Sequence, residues 1–342
     1  MPIKDQKLYA LELLRGLCAI GVAAYHFIYW STKYDLQSVS MFGVYMFFVL
    51  SALVLMIRYS RTFEDGIGPD ALREFYRNRI ARIIPLLLLM AALSFVYFQI
   101  RYGNQSLAKA FFTGTGLFFL QLPGALSNTP GAWSLGIELA FYVVFPVVCV
   151  LTAKARVTTL ALVLAALVFS QQTAIATLHA PDSPDFWGRY SMPLTFAPFF
   201  LSGIIIFRAR NAEWQHGWVV SIILVGAISL FTPIFPMNLF EGGAAYIALS
   251  AIASAAVFFA YSSSLPLAVV PTARLLGNLS YSIYLSHWFV YQNVSWIGPF
   301  ALRIAAFAGG TFLMSYVIYR FFEIPMKNWL RSTPKRSLAV TA

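Results

Sequence analysis

The chain has 342 residues, of which 59% are hydrophobic and 11% charged, and its net charge is +11. Soluble domains carry roughly 25% charged residues, so this composition excludes an ordinary soluble protein and predicts that lipid is the main solvent. A basic chain could bind nucleic acid, but the Lys and Arg residues are spread over many loops without a single patch, so we expect no nucleic-acid partner.

Ten apolar runs are predicted to be transmembrane helices, because about 20 apolar residues in a helix span a hydrocarbon core roughly 30 Å thick. A shorter apolar stretch, 111–122, is interrupted by glycines and is predicted to be re-entrant or interfacial. If it crossed the membrane, the count would be eleven and every later helix would be inverted. The predicted fold is therefore an all-α integral membrane protein with one domain, 1–342. The ten runs lie at 8–30, 41–58, 83–101, 133–152, 157–178, 190–207, 217–235, 245–261, 275–292 and 300–320.

The basic residues predict the orientation. With ten crossings and an inner N-terminus, 18 of the 24 Lys and Arg lie in inner segments and five in outer segments, with Arg15 inside the first helix. This bias follows the positive-inside rule, so both termini are predicted to be cytoplasmic. The basic tail at 327–342 then faces the anionic lipid headgroups. The first helix has no clear cleavage site and is expected to remain as an anchor.

Few ionisable side chains lie within the predicted spans, and those few are candidate site residues because each charge in a bilayer costs at least a few kcal/mol. Arg15 and His26 are eleven positions apart, which is about 16.5 Å of helix rise and close to three whole turns, so both side chains point the same way. His26, Glu138 and His287 are each predicted about four or five residues from the outer end of a span. They therefore converge on one depth.

Each candidate also has a structural interpretation. A single His near a helix end is often an interfacial residue, and Trp133 is typical of an aromatic interface anchor. Glu138 could join two helices through a hydrogen bond, and Glu12 could form a local ion pair with Arg15 at i,i+3. No metal site is predicted, because the four His and two Cys residues have no ligand-like spacing.

Six segments together resemble the membrane acyltransferase family 3, whose members transfer acetyl or other acyl groups onto sugars, lipids and some antibiotics. The first, LELLRGLCAIGVAAYHF, has an Arg and a His separated by ten residues, like the opening helix of that family. The resemblance covers nearly the whole chain. The other segments, in order, are GVYMFFVLSA, FYRNRIARIIPL, WSLGIELAFYVVFP, LGNLSYSIYLSHW and FEIPMKNWL.

Two of these segments depart from the family pattern. The second usually reads GVDLFFVLSG, so Tyr45 stands in place of an acid and Ala52 in place of a glycine. The fourth usually has two adjacent acids, and here only Glu138 remains, beside Leu139. Roles that the family gives to the missing acids are not carried over.

The resemblance implies acyl transfer from an acyl-coenzyme A, above all acetyl-CoA, with no permanently bound cofactor. His26 is the implied general base, with Glu138 or a backbone carbonyl orienting its ring; a transient acyl-His26 is the less favoured alternative. Arginines are the implied donor-binding residues because they bind phosphate bidentately. They are Arg15, Arg77, Arg79 and Arg82. For the last three, ordinary positive-inside charge is also a sufficient explanation.

The implied acceptor is a hydroxyl of a cell-envelope or exopolysaccharide sugar, free or lipid-linked, at the bacterial cytoplasmic membrane; a lipid or a macrolide-like molecule is the alternative. Competing classes are a secondary transporter, which also uses His and Glu at membrane depth, and a non-catalytic subunit of a polysaccharide export system. Oligomeric state is not predicted. The acceptor-side candidates are Ser51, Trp133, Ser134, Tyr281, Tyr284 and His287.

Overall fold

The computed structural model describes residues 3–34, 36–103, 105–120, 126–177, 190–209, 214–231 and 243–330, and in these ranges it is helical without strands. A short 3-10 turn, Leu117–Leu120, and a π-helical turn, Tyr319–Glu323, lie between the α-helices. The α-helices are α1 (Ile3–Thr32), α2 (Gln37–Phe63), α3 (Pro69–Tyr102), α4 (Leu107–Thr115), α5 (Ala132–Ala153), α6 (Val157–Thr177), α7 (Pro193–Arg208), α8 (Gly217–Phe231), α9 (Gly243–Tyr261), α10 (Val270–Val294), α11 (Phe300–Ile318) and α12 (Ile324–Leu330).

Each predicted span coincides with one of these helices, apart from span ends such as 232–235 that lie outside the described residues. The helical, apolar architecture is that of an integral membrane protein. The number of crossings and the cytoplasmic position of the termini stay predictions. Within the described ranges, five segments are long and apolar enough to cross a membrane: Leu8–Thr32, Val39–Phe63, Pro69–Tyr102, Ala132–Ala153 and Phe300–Leu330.

The segment predicted to be re-entrant or interfacial contains the end of α4 and the short 3-10 turn. Gly116 ends α4 with a left-handed φ of 76°, a conformation that suits glycine. The nine residues of α4 rise only about 13.5 Å, less than half of a hydrocarbon core roughly 30 Å thick. The helix is therefore too short to cross by itself; residues 121 and 122 lie outside the described ranges.

Helices α1 and α10 pack side by side and run in the same direction. Arg15 of α1 donates a hydrogen bond to the carbonyl of Gly277 in α10 at 2.5 Å. Eleven residues later, His26 meets His287 at 2.9 Å. Because both contacts advance together along the two helices, the helices are parallel. This direction agrees with the arrangement of ten crossings, whereas an eleventh crossing at 111–122 would have inverted α10.

The close approach of α1 and α10 depends on glycine. A Cβ atom on Gly277 would lie 2.6 Å from the Cβ of Glu12 and 3.0 Å from its Cα. We expect Gly277→Ala to cost about 1–3 kcal/mol, the usual cost of overpacking, and to lower the melting temperature in detergent. Gly226→Ala in α8 is the matched control, because its Cβ would meet nothing within 4 Å. Equal melting temperatures for the two variants would contradict this packing.

Helix α2 lies inside the bundle and packs against α1, α5, α7 and α9. Its backbone meets α7 at small residues: a Cβ on Gly203 would lie 2.3 Å from the carbonyl oxygen of Val49 and 2.8 Å from the Cβ of Ala52. Small residues at such crossings let membrane helices approach closely. Ala52, which replaces the usual glycine of the family segment, is therefore accommodated by a glycine on the facing helix.

Candidate active site

A cavity with about 1160 Å³ of empty space, including its opening to solvent, lies between α1, α2, α3, α5 and α10. Its wall mixes apolar side chains with four arginines and two glutamates, a formal charge of +2 when all are ionised. The cavity is therefore cationic as well as apolar. Of the site residues predicted from the sequence, Arg15, Arg79, Arg82 and Ser51 line it, as do Ser134, Glu138, Tyr281 and Tyr284.

The cavity is elongated and its two ends differ chemically. Arg58 lies near the end of α2, and Arg79 and Arg82 lie in the first half of α3. At the other end are the hydroxyls of Ser134 and Tyr284. Between the residues of α2 that line the two ends, 47 and 58, the helix rises about 16.5 Å. The cavity thus joins a cluster of guanidinium groups to a hydroxyl-lined interior.

Arg79, at the cationic end, has a hydrogen-bond donor that the described part of the protein leaves unused. Arg79 is 5% exposed, and its guanidinium lies over the rings of Tyr59 and Tyr142 at 5.3 and 5.6 Å. It donates one hydrogen bond to the Tyr59 hydroxyl at 3.3 Å, but its Nε has no partner among the described residues. Arg82 is half-buried and lines the cavity. A buried guanidinium with unused donors suits an anionic ligand.

Arg77 differs from the other predicted donor-binding arginines. It is exposed, and its Nε donates to the carbonyl of Leu330 at 2.7 Å. It is not among the residues that line the cavity. Arg58 does line the cavity, although the sequence did not single it out. Arg58 follows Ser51 by seven residues, two helical turns on the same face, and that spacing could have identified it.

Arg15 bridges α1 and α10. Its Nε donates to Ser280 Oγ at 3.0 Å, and its terminal nitrogen donates to the Gly277 carbonyl. A local ion pair with Glu12 is therefore not what holds this guanidinium, and Glu12 Oε2 has no hydrogen-bond partner among the described residues. Arg15 also lines a smaller second cavity, together with Arg82 and Glu323. Its charge thus faces two cavities that share Arg15, Arg82 and Tyr281 as lining residues.

Glu138 joins α2 and α5 and faces the cavity. Its Oε1 accepts a hydrogen bond from Ser51 Oγ at 2.7 Å and another from the Tyr142 hydroxyl. No hydrogen bond from Glu138 to His26 is present in the described part of the chain. Glu138 thus joins two helices, and the predicted contact with the His26 ring is not observed; a catalytic role for Glu138 stays a prediction.

His26 and His287 form a pair one helical turn beyond the hydroxyl-lined end of the cavity. His26 Nδ1 lies 2.9 Å from His287 Nε2, and His287 Nδ1 lies 3.1 Å from the carbonyl oxygen of Ile283. The two imidazole rings are nearly parallel with centroids 5.0 Å apart, and Trp30 stacks on His26 at 4.8 Å. Trp30 was missed from the sequence, although it lies four residues after His26 on the same face. His287 is 1% exposed and His26 is half-buried.

Tyr284 contacts both the cavity and the histidine pair. Its hydroxyl forms a hydrogen bond with Ser134 Oγ at 2.9 Å and donates to the Gly131 carbonyl at 3.2 Å, while its ring centroid is 6.3 Å from that of His287. Trp133 lies outside the cavity lining, and its ring packs near Phe196 at 5.7 Å. Tyr284 therefore lies between the cavity and the pair, and Trp133 does not.

The two positions where the family usually has acids are packed into the protein interior. Tyr45 is fully buried, its ring stacks on Phe199 at 4.3 Å, and its hydroxyl forms a hydrogen bond with Tyr190 at 2.8 Å. Leu139 is 9% exposed, and its Cδ1 would lie 2.8 Å from a Cβ on Gly116. Neither side chain lines the cavity, so these replacements contribute packing.

A polytopic helical membrane protein with an internal cationic cavity is the class that this fold and site define. The chain belongs to an acyltransferase family. The family model, described as an acyltransferase domain, matches residues 8–320. No solved structure matches the chain significantly.

Three similar proteins carry acyltransferase names. The peptidoglycan O-acetyltransferase OatA of Listeria monocytogenes is 22% identical over 93% of this chain and 56% of its own length. The O-acetyltransferase OatA of Staphylococcus aureus is 26% identical over 93% and 57%, respectively. The acyltransferase MdmB of Streptomyces mycarofaciens is 27% identical over 85% of this chain and 81% of its own. The chain thus spans just over half the length of the OatA proteins.

Proposed function

We propose that this protein is a membrane O-acyltransferase that moves an acetyl or other short acyl group from acyl-CoA to a hydroxyl of a cell-envelope or exopolysaccharide sugar. The observation that carries the proposal is the elongated cavity, with arginines at one end, hydroxyls at the other and a histidine pair one turn beyond. The O-acetyltransferase names of the OatA proteins support acetyl as the acyl group and an envelope sugar as the acceptor.

The donor fits the two ends of the cavity. The phosphates of coenzyme A bind Arg58, Arg79 and Arg82, because guanidinium groups form bidentate, charge-assisted hydrogen bonds with phosphate. The uncharged pantetheine arm runs along the apolar wall of the cavity. The thioester then reaches the level of Arg15 and Tyr284. Arg77 is not part of this proposal, because it points away from the cavity.

The chemistry uses His26 as general base. The acceptor oxygen attacks the thioester carbonyl carbon while its proton moves to His26; the C–S bond then breaks, and the coenzyme A sulfur takes that proton as it leaves. The hydroxyls of Ser134 and Tyr284 hydrogen-bond to each other and to the Gly131 carbonyl, and in the reaction they turn their protons from that carbonyl to the developing oxyanion. Since Tyr284 stands between the cavity and His287, the acyl group passes beside its ring to reach His26.

The acceptor approaches from the end of the protein that carries His26. With a cytoplasmic N-terminus, that end faces outward, which places the donor head group and the acceptor on opposite sides of the bacterial cytoplasmic membrane. The outer segments that we expect to contact the acceptor are 31–40, 102–132 and 179–189; of these, residues 35, 104, 121–125 and 179–189 lie outside the described part of the chain. No metal takes part in this scheme, because a thioester is already activated and needs only positioning, a base and oxyanion stabilisation.

The proposal is tested with purified detergent-solubilised protein, radiolabelled acetyl-CoA and a panel of peptidoglycan fragments, exopolysaccharide oligosaccharides and lipids. The expected result is label transferred to a carbohydrate as a base-labile ester, with stoichiometric release of free coenzyme A. Transfer to lipid alone would overturn the sugar assignment. Release of coenzyme A from neither acetyl nor longer acyl donors would overturn the donor assignment and favour a transporter.

A further inference from the structure

We propose that His287 is a positioning residue that fixes the tautomer of His26, so that the His26 proton sits on Nδ1 and the lone pair of Nε2 is presented to the acceptor hydroxyl. This inference rests on the proposed function, since it gives His26 the role of base. It assigns to His287 a role different from the substrate contact expected from the sequence.

The tautomer follows from a chain of hydrogen bonds that begins at a carbonyl. The oxygen of Ile283 can only accept, so the proton in its 3.1 Å contact belongs to His287 Nδ1. A neutral imidazole carries one ring proton, so His287 Nε2 is an acceptor. The 2.9 Å contact with His26 then requires the proton of His26 to lie on Nδ1. His26 Nε2 is left with its lone pair, and no described residue donates a hydrogen bond to it.

Burial makes the neutral form of His287 the appropriate one. His287 is 1% exposed, and its ring contacts Trp30, Tyr284 and His26. None of these is an acid that could offset a buried positive charge, which would be costly. With His287 neutral, the direction of the hydrogen-bond chain is fixed. The reverse direction would point two lone pairs at each other at the Ile283 carbonyl.

The same contacts stabilise His26 once it has taken the acceptor proton. The imidazolium keeps its Nδ1–H bond to His287 Nε2, and its positive charge lies against the face of Trp30, whose ring is nearly parallel to the imidazole, at 10° and 4.8 Å between centroids. An aromatic face attracts a cation. His287 therefore acts on the ring of His26 as an acid does beside other catalytic histidines, without placing a charge in the membrane.

Nitrogen-15 NMR of histidine-labelled protein in detergent micelles tests the tautomer directly, because the chain has only four histidines and each is assigned by single substitution. We expect His26 in the wild-type protein to be protonated at Nδ1. His287→Gln, whose side-chain oxygen can accept the same hydrogen bond, should keep that tautomer. His287→Leu, which has no acceptor, should shift His26 toward the Nε2–H form.

Turnover is measured on the same variants. We expect His287→Leu to lower kcat by about 10²–10⁴-fold, the range for a lost or misdirected base, with unchanged affinity for acetyl-CoA, and His287→Gln to retain most of kcat. A wild-type His26 protonated at Nε2, or equal kcat losses in the two variants, would overturn the inference. An inactive wild type with the expected Nδ1–H tautomer would instead refute the proposed function while leaving the hydrogen-bond assignment intact.

Discussion

His26→Ala is expected to lower acyl transfer by about 10²–10⁴-fold, the usual contribution of a general base, while acetyl-CoA binds with unchanged affinity. The rate falls without a loss of donor affinity because His26 lies beyond the hydroxyl-lined end of the cavity and is not among its lining residues. Initial rates of coenzyme A release and equilibrium binding of the donor, measured on the same preparation, check both parts.

The matched control for this variant is His216→Ala. His216 is exposed in the turn just before α8 and does not line the cavity, so its replacement should leave both quantities unchanged. If His26→Ala retained wild-type turnover, the assignment of the base would be wrong. A large loss of donor affinity in His26→Ala would mean that the histidine contributes to binding as well.

Arg82→Met is expected to weaken acetyl-CoA binding about 10- to 100-fold, because a hydrogen bond to a charged group contributes roughly 1.5–3 kcal/mol. Arg82 lines both cavities and is placed for phosphate contact. Acetyl-pantetheine lacks the nucleotide phosphates, so its affinity should not change. The ratio of the two affinities, measured by equilibrium binding in detergent, isolates the phosphate contact from any general loosening of the cavity.

Arg73→Met is the control for this measurement. Arg73 is an exposed arginine on the same helix and does not line either cavity. Arg73→Met removes the same charge from α3 as Arg82→Met does, and its affinity for acetyl-CoA should match that of the wild type. Equal losses in Arg73→Met and Arg82→Met would indicate only a general electrostatic effect. An Arg82→Met protein that loses both donors equally would contradict the phosphate assignment.

Much of the fold followed from the sequence, because hydrophobic length is a strong signal. Runs of apolar residues predicted helices at every position where the described structure has a long one, including α6 and α9. The bounds were less predictable. Helix α3 begins at Pro69, well before the predicted span at 83–101, because its first turns are polar and carry the arginines. Hydropathy does not detect a helix that continues beyond the lipid.

The site was predicted in part. The spacing of Arg15 and His26 placed them correctly on one face of one helix, and His287 was expected at the same depth. The sequence offered Glu138 or a backbone carbonyl as the partner of the His26 ring, whereas the structure places His287 there. Acids are the familiar partners of catalytic histidines, and sequence spacing does not specify which helices touch. The parallel packing of α1 and α10, which brings His287 to His26, depends on close contact at Gly277. That contact links residues far apart in the chain.

The cavity itself could not have been predicted from single residues. Arg58 and Arg77 look alike in the sequence, as basic residues near inner helix ends. Arg58 lines the cavity, whereas Arg77 turns away to the Leu330 carbonyl. The two arginines differ in which side of their own helix they occupy, and therefore in which neighbouring helices their side chains meet.

The most direct test of the central claim is the binding and slow hydrolysis of radiolabelled acetyl-CoA by the purified wild-type protein in detergent, without any acceptor. Water can replace the acceptor hydroxyl at His26, so the account predicts saturable binding that excess unlabelled coenzyme A displaces, and thioester cleavage that His26→Ala abolishes. Absence of saturable binding for acetyl-CoA and for longer acyl donors, in protein that melts cooperatively, would contradict the account.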